Sequence, residues 1–182
     1  MRKNIATIII GLLFTFVVAM PQGSVAAASC YASTCYKKDP ATYTNSSGFI
    51  CSHSTFTYTV AGSFEQTGTN GRVRVELRYS NPSDPDNGGG CQANWSRATV
   101  VTANSSTVQL FAKANKTSTP SNKHSRYIWA SPTLSAGASI WSFMIDGSVT
   151  VTAWAGISAT VCSGTNDTGE PCTYNPLISY SG

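Results

Sequence analysis

The sequence predicts an all-β protein, a single antiparallel β-sandwich or small barrel stapled by disulfides, with no significant helix after its amino-terminal segment. Ser and Thr are abundant whereas Leu, Lys and Glu are scarce, a composition typical of strands and turns. About seven or eight short strand-like segments are separated by clusters of turn-forming residues. No window after residue 28 has sustained helical spacing of apolar residues.

Alternation of polar and apolar residues gives the clearest strand signals. Residues 72–79 alternate charged side chains with Val, Val, Leu and Tyr, which predicts a strand with one wet face and one buried face. Residues 55–60 alternate Thr with Phe, Tyr and Val in the same way. Residues 98–101 and 108–113 indicate two less regular strands.

A tight hairpin is predicted at Asp146-Gly147. WSFMI and SVTVTAW flank this dipeptide, and Asp-Gly is preferred in two-residue type I′ turns because both central residues need a positive φ. The turn would place Ile145 opposite Ser148. Both faces of this hairpin carry apolar residues, so we expect it in the middle of the sheet packing.

The first 28 residues are typical of a secretory signal peptide. A short basic start, MRKN, precedes an almost unbroken apolar run over residues 5–20, and Ala26-Ala27-Ala28 offers a cleavage site before Ser29. An uncleaved anchor fits less well because the apolar run is short for a bilayer. We therefore expect residues 29–182 to be one secreted domain, extracellular or wall-associated, with no stable membrane anchor.

An even number of cysteines follows the predicted cleavage site: Cys30, Cys35, Cys51, Cys91, Cys162 and Cys172. In an exported chain this predicts three disulfides, and it argues against a lipoprotein signal, since lipidation of the first cysteine would leave an odd number. Spacing leaves the pairing open, except that a turn-rich segment favours Cys162 with Cys172. The alternative is a zinc site of three thiolates and an imidazole, formed by Cys30, Cys35, Cys51 and His53. An oxidising compartment competes for those thiols, so we expect no metal and no cofactor.

Charge and residue types limit the function classes. The predicted mature chain carries ten basic and eight acidic residues, which gives no electrostatic case for nucleic acid. The G-x-S-x-G motif of serine hydrolases is absent, and His53 and His124 are the only histidines. Asp84 and Asp86 lack the later oxygen ligands of a calcium loop. We therefore predict a monomer that is not an enzyme and has no catalytic or metal-binding residue.

Four charged residues are predicted to form a structural network: Arg74, Glu76, Arg78 and Arg97. The first three share one strand face at two-residue spacing, and the turn-rich residues 81–90 let Cys91 to Arg97 return antiparallel beside that strand. Glu76 would then lie among arginines, which bind carboxylates well through their planar guanidinium groups. We expect this network to be partly buried, with Cys91 tying the returning strand to the amino-terminal segment.

Several motifs together resemble the bacterial family called domain of unknown function 2690: Cys30-x4-Cys35 with Asp39-Pro40, Cys51, VELRYS at 75–80, and C-x-A-x-W-x-R from Cys91 to Arg97. The resemblance covers mainly residues 30–100. The connection between Ser80 and Cys91 is longer than expected for the family, and Cys162 with Cys172 looks like an addition. The resemblance implies an exported bacterial protein with no known activity and no assigned catalytic residue.

The aromatic residues are the candidates for a binding surface. Trp129 and Trp95 are possible stacking platforms for sugar rings, although large aromatics also fill the cores of Leu-poor β domains. The leading expectation is an exported non-catalytic module that binds cell-wall or other extracellular polymer. One alternative is a secreted antagonist, an inhibitor or toxin that binds an extracellular protein through residues 113–126. A hydrolase is the third.

Overall fold

A computed structural model describes residues 28–83, 89–104, 109–117, 124–130, 134–159 and 174–182, with backbone alone for Ala61 and for 124–130. The described chain contains nine strands and one short 3-10 turn at Ala32–Cys35, which confirms the all-β prediction. The strands are β1 (Thr57–Gly68), β2 (Gly71–Ser80), β3 (Ala93–Ala103), β4 (Gln109–Lys116), β5 (His124–Ala130), β6 (Ser139–Trp141), β7 (Ile145–Asp146), β8 (Val151–Ser158) and β9 (Leu177–Ser181). Residues 1–27 of the predicted signal peptide, and the predicted pair Cys162 and Cys172, lie outside the described residues.

The strands form two sheets packed face to face. The first sheet has the order β1-β2-β3-β6, with β7 also paired to β3, and the second has the order β5-β4-β8-β9. Every pairing between these strands is antiparallel. Small and branched side chains from both inner faces meet in one core, including Val73, Val75, Leu77, Val100, Leu110, Ala112, Val151, Ala153 and Ile157.

The predicted strand alternation holds for β2 but not for β1. Val73, Val75 and Leu77 are buried in the core, and the charged residues between them lie on the opposite face of the sheet, where Arg72 is exposed but Glu76 is itself buried. In β1, however, Thr57 is buried and Tyr58 is 48% exposed. β1 is an edge strand with a bulge between Thr59 and Ser63, so its side chains do not all meet the opposite sheet.

The hairpin predicted at Asp146-Gly147 is wrong. Residues 145–146 pair with β3 in the first sheet, whereas residues 151–158 pair with β4 and β9 in the second. The dipeptide does make a turn, because the Ser148 backbone N–H and hydroxyl both donate to the Asp146 carboxylate at 2.9 and 2.7 Å. That turn carries the chain from one sheet to the other instead of reversing it within one.

The amino-terminal segment packs on the outer face of the first sheet. There it closes a second small core of four cysteines with Ala93, Trp95 and Met144. Backbone hydrogen bonds hold it in place, from Ala32 N–H to the Cys91 carbonyl at 2.8 Å and between Met144 and residues 37–38 at 2.8 and 3.0 Å. This segment therefore covers one part of the outer face and leaves the charged part of β2 uncovered.

Candidate functional sites

The charged outer face is divided into two groups. In the first, Glu76 is only 6% exposed, and its carboxylate accepts a hydrogen bond from Arg97 Nε at 2.5 Å and another from the Thr59 hydroxyl at 3.0 Å. Arg78 reaches this group indirectly, because its Nη1 donates to the Thr59 hydroxyl at 2.5 Å. Glu76 is thus held across three adjacent strands.

Arg74 is not in that group, which corrects the predicted network. Its guanidinium binds Glu65 on β1, with Nη2 at 2.5 Å and Nε at 2.7 Å from the carboxylate. Arg72 approaches the same carboxylate at 3.6 Å. The register explains the difference, since Glu65 lies directly opposite Arg74 whereas Glu76 lies opposite Arg97.

The electrostatics of Glu76 favour its ionised form. Burial by itself raises the pKa of this carboxyl, but the hydrogen bond and charge of Arg97 lower it, and the Thr59 hydroxyl and the Arg78 charge add to that effect, so that the net shift is downward. Burial and the neighbouring Arg97 charge lower the pKa of Arg78. The Glu76 carboxylate is therefore paired with Arg97 and hydrogen-bonded to Thr59 across the sheet, which is the arrangement of a structural ion pair.

Replacing Glu76 by Gln should lower the free energy of unfolding by about 2 kcal/mol, because it weakens hydrogen bonds to a charged group that is largely buried. In a domain of this size the melting temperature should fall by about 4–8 °C. Glu65→Gln is the matched control: it removes an exposed pair from the same face and should cost less than about 1 kcal/mol. Equal losses in the two variants would contradict the buried network.

The same comparison should depend on pH. Since the pKa of Glu76 is lowered by folding, its contribution is complete above the unfolded pKa of about 4.3 and is lost as the pH falls through the lower folded value. The stability difference between wild type and Glu76→Gln should therefore be constant near neutrality and shrink below about pH 4. Urea titrations at a series of pH values measure this, and a difference that grows on acidification would contradict it.

Four buried cysteines, which we call the four-cysteine cluster, lie beside this face: Cys30, Cys35, Cys51 and Cys91. They form two disulfides, Cys30 to Cys35 and Cys51 to Cys91. The second ties the start of β3 to the amino-terminal segment, as the sequence predicts for Cys91. The alternative zinc site was predicted with His53 as its fourth ligand, and this is wrong. The residue that lies beside the other three cysteines is Cys91, whereas the His53 ring packs against Phe49 and Phe56.

A third feature, which we call the tyrosine cleft, opens between β1, β2, the 147–150 turn and Gly182. It has a volume of about 360 Å³ and is lined by Tyr58, Val60, Leu77, Tyr79, Asn94, Gly147, Ser148, Val149, Thr150 and Gly182. The rings of Tyr58 and Tyr79 meet edge to face with centroids 5.7 Å apart. The lining side chains are aromatic, aliphatic, hydroxyl or amide groups.

Local structure explains how this cleft is built. Tyr58 and Tyr79 are direct partners in the β1-β2 ladder, and Tyr79 is also opposite Asn94 on β3. A Cβ atom at residue 147 would lie only 2.6 Å from the Tyr79 ring and 2.7 Å from the Gln92 backbone. Glycine at this position therefore allows the turn to pack closely against Tyr79 and Gln92. Burial, with smaller effects from Tyr58, Tyr31 and Asp146, raises the pKa of Tyr79, which keeps its phenol neutral.

Of the two tryptophans proposed from the sequence, Trp95 does not line this site. Trp95 is 2% exposed and packs among the cysteines, so it is not an accessible platform. Trp129 lies on β5 opposite Leu110, and its side chain is outside the described structure. Trp141 is partly exposed at the sheet edge, where its indole N–H donates to Asp39 at 3.2 Å. The sequence did not single out Tyr58 and Tyr79, because a tyrosine on a cleft cannot be told from a tyrosine in the core by residue type alone.

Comparison with known proteins gives no matching family model, no matching curated protein and no matching solved structure. Within the described residues, no helix has the length and apolar character needed to cross a membrane. The resemblance to domain of unknown function 2690 stays a prediction.

Proposed function

We propose that the protein is an exported, non-catalytic β module that binds an uncharged carbohydrate segment of a bacterial cell-wall polymer in the tyrosine cleft. The cleft is the observation that carries this proposal. Its size lies within the range of small-molecule sites, and it combines apolar ring surface with a few polar groups. Export rests on the signal-like first 28 residues and on the disulfides, which persist in oxidising compartments.

The chemistry of the lining favours a sugar over a charged ligand. Tyr58 is 48% exposed, so much of its ring is available to lie against the C–H face of a sugar. Tyr79, being neutral and half-buried, offers a phenol that donates or accepts a hydrogen bond. Ser148 and Thr150 add exposed hydroxyls at the opposite side. No arginine or lysine lines the cleft among the described residues.

Tyr58→Ala should weaken binding to purified Gram-positive cell walls by about tenfold, which corresponds to the loss of about 1.4 kcal/mol of ring contact. Co-sedimentation at a series of wall concentrations gives the affinity. Phe64→Ala is the matched control, because Phe64 is an exposed aromatic residue on the same edge strand. Its ring stacks on Tyr180, and neither residue lines the cleft. It should bind like the wild type.

The outcomes separate the competing functions. Loss of binding in Phe64→Ala but not in Tyr58→Ala would show that the binding site lies outside the cleft. If the wild type does not sediment with walls, a carbohydrate module is the wrong class. A panel of hydrolase substrates then tests the enzyme alternative, and a protease or growth inhibition assay tests the antagonist. The antagonist's proposed segment is partly strand, since β4 extends to Lys116 and β5 begins at His124.

A further inference from the structure

We propose that the four-cysteine cluster is a thiol–disulfide exchange site, that small thiols enter it at Cys30, and that its two disulfides can exchange partners there. Cys30 Sγ lies 3.7 Å from Cys51 Sγ, which belongs to the other disulfide. All four sulfurs lie within 4.8 Å of one another. A sulfur of one disulfide therefore has the sulfurs of the other within reach after only a small side-chain movement.

One cysteine of the cluster is placed to meet an incoming thiol. Cys30 retains 6% of its surface, whereas Cys35, Cys51 and Cys91 are fully buried. Cys30 also lines a second cleft, of about 350 Å³, together with Ser29, Tyr31, Thr34, Asn45 and Ser46. That volume is ample for a small thiol such as free cysteine. Attack from solvent is thus directed to the Cys30 end of the Cys30 to Cys35 bond.

The exchange balances without any net oxidation or reduction. An external thiolate attacks Cys30 Sγ, the bond from Cys30 to Cys35 breaks, and Cys35 leaves as a thiolate. Cys35 then attacks Cys91 Sγ, which forms the Cys35 to Cys91 bond and releases Cys51 as a thiolate. Cys51 finally attacks Cys30, 3.7 Å away in the starting structure, and expels the external thiolate.

The backbone around the cluster is held on both sides, so the sulfurs stay close together during these steps. Cys30 N–H donates to the Thr44 carbonyl at 2.9 Å, and Cys51 N–H donates to the Tyr43 carbonyl at 2.8 Å. These bonds hold the backbone at Cys30 and the backbone at Cys51 against the same segment, residues 43–44. The exchanged pairs are Cys30 to Cys51 and Cys35 to Cys91. Like the starting pairs, they leave none of the four cysteines as a free thiol.

Peptide mapping of the intact folded protein tests the exchange directly. Trypsin separates a peptide ending at Lys37 or Lys38, which holds Cys30 and Cys35, from residues 39–72 with Cys51 and residues 79–97 with Cys91. In the starting pairing the first peptide is free and the other two are joined. In the exchanged pairing all three are joined. Millimolar cysteine is added under native conditions, and samples are quenched with acid and mapped without reduction.

We expect cysteine to appear first on Cys30, followed by the three-peptide species, while circular dichroism retains the signal of folded protein. The proposal is overturned if the three-peptide species never forms, if cysteine attaches first to Cys51 or Cys91, or if exchange occurs only after unfolding. Two matched variants add a second readout. Cys35→Ser should be recovered with Cys30 joined to Cys51 and a free Cys91. In the double variant Cys30→Ser with Cys35→Ser, which has no thiol left to attack the second disulfide, the bond between Cys51 and Cys91 should persist after cysteine is added.

Discussion

Replacing both members of the Cys51 to Cys91 disulfide by Ala should lower the free energy of unfolding by about 4 kcal/mol. The bond spans 40 residues of sequence, so its loss frees a long loop in the unfolded chain. Both cysteines are also fully buried beside Trp95. Because typical domains have a total stability of about 5–15 kcal/mol, this single change removes a large share. Urea unfolding of the double variant measures it.

The Cys30 to Cys35 bond supplies the matched control. It spans only five residues of sequence, and its removal should cost about 2 kcal/mol on the same loop-closure argument. The two double variants should therefore differ by about 2 kcal/mol, with the long-range bond the more important. Equal losses, or a larger loss for the short bond, would contradict the view that Cys51 and Cys91 anchor the amino-terminal segment to the sheet.

Trp95→Ala should be as damaging, with an expected loss of about 3–5 kcal/mol. The indole is 2% exposed and fills the second core between the cysteines, Ala93 and Met144, so its truncation leaves a cavity. Trp141→Ala, on a neighbouring strand of the same sheet, should cost about 1 kcal/mol, because Trp141 is 38% exposed. Thermal and urea unfolding of the two variants make the comparison.

A different outcome would change the role of Trp95. If Trp95→Ala unfolds like the wild type but no longer binds cell walls, the side chain is a binding platform and its position in the core is wrong. If both tryptophan variants lose stability equally, the outer face of the first sheet is more extensively covered than the described residues show. The predicted pattern is a much larger stability loss for Trp95→Ala than for Trp141→Ala, with the folded fraction of both variants still able to bind cell walls.

The β2-β3 pair could be read from the sequence because its signals are local. Strict alternation over residues 72–79 fixes which face is buried, and the turn-rich segment after it fixes the antiparallel return. The pairing of Glu76 with Arg97 follows from that register. Arg74 was misassigned because its partner, Glu65, lies on β1, and no local pattern gives the register of a bulged edge strand.

The hairpin and the cleft depend on contacts that the sequence does not display. Asp146-Gly147 has the residue types of a tight hairpin turn. The segment before it pairs with β3, however, and the segment after it pairs with β4 and β9, so the two segments do not pair with each other. Alternation predicted a buried Tyr58, yet it does not tell an edge strand from a central one. The cysteine pairing likewise depends on the fold, because spacing alone allows many connectivities.

A nuclear magnetic resonance titration tests whether the tyrosine cleft binds carbohydrate. Isotope-labelled protein is titrated with soluble, uncharged glycan fragments of Gram-positive cell wall, and the shifted backbone amides are mapped on the structure. We expect saturable shifts at Tyr58, Tyr79, Asn94 and residues 147–150, all of which line the cleft, and we expect these shifts to be lost in Tyr58→Ala. Saturable shifts confined to other surfaces, or no shifts at concentrations that saturate wall binding, would contradict it.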